Sequence, residues 1–152
     1  MSGFSHLDAE GRARMVDVGR KKLQRRLARA AGAIQLGAAT LDLIRNDRIA
    51  KGNVLTVAQI AGIQAAKRTG ELIPLCHPLS LDHVAVTLEL GDTGLTATSE
   101  VSCTGRTGVE MEALTAVSVA LLTVYDMCKA VDKQMQIGPI VLLEKVKHDV
   151  ES

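Results

Sequence analysis

Ionisable side chains stand at both ends of one long apolar stretch, residues 105–133, GRTGVEMEALTAVSVALLTVYDMCKAVDK. Glu110 and Glu112 precede a run of thirteen uncharged residues, 113–125, and Asp126, Lys129 and Lys133 follow it. Asp126 and Lys129 are three apart, so on a helix they meet, with Lys133 one turn further on. A carboxylate beside a lysine can hold one group ionised while the other donates a proton, which is what general acid–base chemistry requires. The same order, acids in the first turn and bases in the last, also satisfies the helix dipole with no chemistry at all. Glu112 and Asp126 differ by only about 40° around a helix axis but lie roughly 21 Å apart along it, so they cannot share one small ligand.

Three other groups invite the same double reading. In IPLCHPL, residues 73–79, Pro74 and Pro78 fix their own backbone angles and push Ile73 and His77 toward extended forms. A histidine held this way presents its ring in a defined direction, as does a buried histidine with one structural hydrogen bond. The adjacent Cys76 and His77 have no second ligand pair at a familiar metal-site spacing. Lys51 stands beside Gly52 in a loop, 47–53, where an ammonium is either simply exposed or folds over a ligand. Arg20, Lys21, Lys22, Arg25, Arg26 and Arg29 make a basic run. It reads as a solvated face or as an anion site, because guanidinium forks match phosphate oxygens.

The elements that must position these groups follow from periodicity. The uncharged run is long for a strand and short for a bilayer, so a helix is predicted, with Thr107 as N-cap and Glu110 closing a capping box. It places Leu114, Val117, Leu121, Val124, Cys128 and Val131 on one face, and the opposite face, Ala116, Val119, Ala120 and Thr123, is hardly more polar. Such a helix needs cover on both sides, here a sheet and a second subunit. Residues 55–69 form an amphipathic helix stopped by Gly70, and 40–46 a shorter one. Strict alternation over 84–90, a turn at 91–94 and alternation again over 95–103 predict an antiparallel hairpin. Residues 15–18 read as a short strand and 140–146 as a last one beyond a break at Gly138 and Pro139. Residues 27–36 fit helix or strand, since Ala favours the first and Gly32 weakens it. Residues 1–13 read as a flexible lead-in. The sum is one domain over 1–152, α+β, with helices packed on one face of an antiparallel sheet.

Composition narrows the function. The 152 residues are 47% hydrophobic with one Tyr, one Phe and no Trp, so the core is aliphatic and single strands cannot be held by base stacking. A formal charge of +1, from 18 basic and 17 acidic side chains, argues against a general nucleic-acid binder. Cys76, Cys103 and Cys128 lack CxxC spacing, which fits reduced thiols in the cytoplasm. There is no apolar signal core at the N-terminus and no long enough apolar segment, so neither secretion nor a membrane span is expected.

Several stretches taken together resemble the MoaC family of molybdenum cofactor biosynthesis: KGNVLTVAQIAGIQAAKRTGELIPLCHPL, TGVEMEALTAVSVALLTVYDMCKAVDK, MVDV near the start and IGPIVLLEK near the end. The resemblance covers nearly the whole chain. It implies a ferredoxin-like α+β fold and a cytoplasmic homohexamer built as three dimers, with active sites between subunits and neither metal nor cofactor. It also implies a lyase reaction on a small nucleotide triphosphate, with no nucleic-acid or membrane partner. Cyclised dihydroguanosine triphosphate is rebuilt as a cyclic pyranopterin monophosphate and pyrophosphate leaves. The family's acid–base group falls on Asp126, accompanied by Lys129 and by Lys51. Substrate contacts map to Leu75, Cys76, His77, Met111 and Glu112, and Glu110, Arg26 and Lys67 also fall on pocket positions. Crowding of cations in one pocket would lower the lysine pKa values and make Lys51 and Lys129 proton carriers. The chain departs from the family at Asn53, usually Asp, at Arg106, usually Lys, and in a tail over 146–152 without the usual Gly and Ser. The contrary reading, a polynucleotide-binding module built on the basic run, predicts steep salt dependence and indifference to Asp126.

Overall fold

The computed structural model describes residues 5–151, which run in the order β1 (Gln24–Gln35), α1 (Ala38–Arg45), α2 (Val54–Lys67), α3 (Thr69–Leu72), β2 (His83–Leu90), β3 (Gly94–Gly105), α4 (Glu110–Cys128) and β4 (Gln136–Asp149). The strands form one antiparallel sheet in the order β2-β3-β1-β4, and α2 and α4 pack on a single face of it. This is the expected α+β, ferredoxin-like arrangement. The alternating segments pair as predicted, His83 opposite Ser102 and Leu90 opposite Leu95. The inward set, Leu95, Ala97, Val101 and Cys103 with Val86, is buried.

The ambiguous Ala-rich stretch is the central strand β1, and the reason lies in what covers it. At Gly32 a Cβ would sit 2.9 Å from both Val117 Cγ1 and Leu121 Cδ1. Helix α4 therefore lies almost directly on the strand backbone. Beside it, a Cβ on Gly62 of α2 would come within 2.9 Å of the Ala116 carbonyl oxygen and 3.2 Å of Val86. Small residues let two helices and a sheet close to contact distance, so a core with almost no aromatics still fills. The basic run is split by the strand's alternation: Arg26 faces the helices' side, while Arg29 on the other face is paired to Glu100 and Glu144, each at 2.6 Å.

Several local expectations are corrected. Helix α4 begins at Glu110 after Val109, with no side-chain cap, so Thr107 does not close a capping box. The helix ends at Cys128, which leaves Val131 in the following turn and mostly exposed. Helix α2 of the same chain covers part of its second flank, and Met111, Leu122 and Tyr125 still face outward. By length and composition α4 could cross a membrane, but half of it is buried inside the molecule, as in a core helix. Gly70 lies within the short turn α3 and does not stop α2, which ends at Lys67 with Arg68 as its C-cap. Residues 15–18 form no strand. Gly138 and Pro139 do not delimit β4. They sit where its register with β1 shifts between Gly32 and Ile34, Gly138 at φ 154°, and the strand continues through this bulge. The atypical tail is strand to Asp149, whose Oδ1 accepts from Gln24 Nε2 at 2.9 Å.

Candidate active site

The far end of α4 gathers three of the predicted groups. Asp126 sits in the last turn, where Lys129 Nζ meets its Oδ1 at 2.8 Å. Lys51 arrives from the loop before α2 and places its Nζ 2.8 Å from Asp126 Oδ2 and 3.0 Å from the Asp126 carbonyl. That loop is shaped by its own residues. Asp47 adopts φ 53° and Gly52 φ 107°, conformations that Asp and Gly tolerate best, and Ile49 is buried as its anchor. Asn53 caps α2 by accepting from Thr56 N–H at 2.8 Å, so Asn here performs the hydrogen-bonding task of an Asp. Bonds from Lys129 and then Lys51 hold the Asp126 carboxyl down at about 2, and the same pairing raises the Lys129 ammonium. The rise is opposite to the lowering expected for a proton-carrying lysine, because the hydrogen bond and charge of the Asp126 carboxylate outweigh the cost of desolvating the ammonium. All three side chains are about half exposed, so the trio is open to solvent and to a ligand.

The near end of α4 carries the second group. Glu112 is only 2% exposed and its Oε1 accepts a long contact, 3.9 Å, from Cys76 Sγ. Its Oε2 is buried with no partner among the described residues, as is Arg26 Nε. Burial first, then the neighbouring Glu110 carboxylate, raises the Glu112 pKa. Burial and Glu112 together likewise raise the Cys76 thiol, which is therefore no activated nucleophile. His77 Nε2 lies 2.6 Å from the Val16 carbonyl oxygen. A carbonyl only accepts, so that nitrogen donates its N–H. Leu75, Cys76, His77, Glu110 and Met111 line one hollow of about 260 Å³, together with His6.

The two groups are separate within one chain. Glu112 and Asp126 are fourteen residues apart on an unbroken helix, hence roughly 21 Å. Lys67 lines a further hollow with Ser80, Asp82 and His83, and Arg26 one with Gly108, Glu110 and Lys145. Sequence reasoning missed three contributors. Lys145 reaches Glu110 at 3.5 Å from β4, and its only signal was its place in IGPIVLLEK. Val16 acts through a backbone atom, which has no signature in sequence. Asp132 accepts from Gly37 N–H at 2.8 Å and Thr40 Oγ1 at 2.9 Å, which ties the chain just beyond α4 to the start of α1. Among the described residues no three His, Cys, Asp or Glu side chains are grouped to hold a metal ion.

An aliphatic α+β fold thus carries a Lys–Asp–Lys trio at one end of its central helix and, at the other, a buried carboxylate with one oxygen unpartnered among the described residues, groups of the kind that acid–base chemistry uses. The chain belongs to the MoaC family, whose profile matches residues 15–148. It is 58% identical over 145 residues to the cyclic pyranopterin monophosphate synthase of Novosphingobium aromaticivorans, an alignment spanning 95% of this chain and 92% of that protein. To the protein of the same name from Chloroflexus aggregans it is 59% identical over 144 residues, spanning 93% and 87%.

Proposed function

We propose that this chain is a cyclic pyranopterin monophosphate synthase, a lyase-type enzyme of molybdenum cofactor biosynthesis. It takes cyclised dihydroguanosine triphosphate to the cyclic pyranopterin monophosphate and releases pyrophosphate. Family membership and the names of the two relatives support the activity. The observation that carries the chemistry is Asp126 gripped at 2.8 Å by both Lys51 and Lys129. Forming the cyclic phosphate breaks the bond between the α- and β-phosphates, and the negative charge that gathers on the departing pyrophosphate needs fixed cations. Lys51 and Lys129 supply them, while Asp126 orients both. At the other end, the buried Glu112 is the group whose raised pKa suits it to exchange a proton with the ring system as that opens and recloses.

Because the two ends of α4 lie too far apart for one substrate, the working site is composite: the near end of one subunit faces the far end of another, in a homohexamer of three dimers. Exposed apolar side chains favour such assembly, notably Leu122 at 58% and Leu143 at 60% exposure. The enzyme works in the cytoplasm on a free small molecule. The test is to supply cyclised dihydroguanosine triphosphate to the purified chain and follow pyranopterin and pyrophosphate. One pyrophosphate per pyranopterin is expected, and substrate recovered intact would overturn the reading.

A further inference from the structure

The hollow at the near end of α4 has one wall that the family positions leave unassigned. We propose that His6, delivered by the N-terminal turn of residues 6–14, is a further substrate-contact residue that meets the nitrogen-rich ring of the nucleotide-derived ligand, not its phosphates. This rests on the reading of that hollow as part of the substrate site.

The turn is a folded unit in its own right. Asp8 Oδ1 accepts from the N–H groups of Glu10 and Arg12 at 3.0 and 2.8 Å, and its Oδ2 accepts from Arg12 Nε at 2.8 Å. Gly11, at φ 77°, makes the reversal, and Leu7 bridges Ala13. Arg14 N–H donates to the His6 carbonyl at 2.9 Å, which fixes the His6 backbone. The chain leaving the turn is pinned where it matters, by the 2.6 Å contact of the Val16 carbonyl with His77. Two imidazoles are thus brought to one hollow by a single segment.

The lining decides which part of a ligand belongs there. Glu110 is on the wall and Glu112 is buried beside Cys76, and carboxylates repel phosphate but accept from ring N–H and amino groups. Leu75 and Met111 offer apolar contact to a flat ring. The lysines at the far end of α4, supplied by another subunit, are the natural seat of the phosphates.

Steady-state kinetics of the full-length enzyme test this, with inorganic pyrophosphate as a competing ligand. His6→Ala is expected to raise KM about tenfold, the loss of one contact to a buried polar group, with kcat within about twofold. Inhibition by pyrophosphate should be unchanged, and His6→Asn, which keeps a donor, should recover part of the loss. Asp8→Ala, which unties the turn and leaves His6 in place, should raise KM as well. An unchanged KM in His6→Ala overturns the proposal. So does a parallel weakening of pyrophosphate inhibition, which a general structural defect would give. A wild-type enzyme that does not turn over substrate would instead defeat the functional reading beneath it.

Discussion

At Asp126 the charge balance separates function from stability. Its carboxyl is held at about 2, below the ordinary aspartate value, so any stability it contributes is present above that value and lost only as pH falls through about 2. The group is exposed and screened, and its ion pairs add little to folding. Asp126→Asn should therefore melt like the wild type at pH 7 while turnover falls about a hundredfold or more, since it removes the anion that orients both lysines. A parallel loss of melting temperature would show that the trio is structural. Glu112 has the opposite sign. Its pKa is raised above the ordinary 4.5, so its contribution is fully present below that value and is lost as pH rises through the raised one. Glu112→Gln, which cannot ionise, should raise the melting temperature at pH 8 and leave it unchanged near pH 4. Thermal scans at the two pH values check this. Part of this was legible in sequence: the three-residue spacing brought Asp126 to Lys129, and the prolines singled out His77. Lys51 joins the trio only through tertiary structure, and the lysine pKa direction depended on a carboxylate between the cations that spacing alone could not weigh.

Among the elements, the contact between α2 and α4 sets how closely the layers approach. Adding a methyl at Gly62 places it 2.9 Å from a backbone carbonyl, which cannot swing aside as a side chain could. Overpacking of about 1–3 kcal/mol competes with a helix-propensity gain of about 1 kcal/mol, so Gly62→Ala should lose about 1 kcal/mol net. A lower urea midpoint with an unchanged slope is the expected result. The same close approach explains why the sequence spoke clearly about some elements and not others. The hairpin declared itself because its outer face meets water and keeps a period of two. Helix α4 declared itself by an uncharged run bounded by charges. Strand β1 did not, because the helix resting on Gly32 leaves room only for Ala and Gly beneath it, and those residues carry no strand signature. The capping box failed for a similarly local reason: the chain does not enter helical geometry until Glu110, three residues beyond Thr107.

For the whole molecule, a site shared between subunits makes a quantitative demand. Chains carrying Glu112→Ala and chains carrying Asp126→Ala should each be nearly inactive. If the assembly exchanges subunits at random, an equal mixture regains about a quarter of the wild-type sites, because half the near ends and half the far ends remain intact. Mixing after mild dissociation and assaying turnover measures this, and zero recovery in verified mixed assemblies would mean that each site is built within one chain.

Helix α4 also acts as a ruler. Its nineteen residues fix both the span and the angular phase between the group at Glu112 and the trio at Asp126. Exchanging aliphatic residues along it preserves that calibration, whereas deleting a single one would shorten the gauge by about 1.5 Å and twist one end about 100° against the other. The count of residues in this stretch, more than their identity, thus keeps the two ends in gauge.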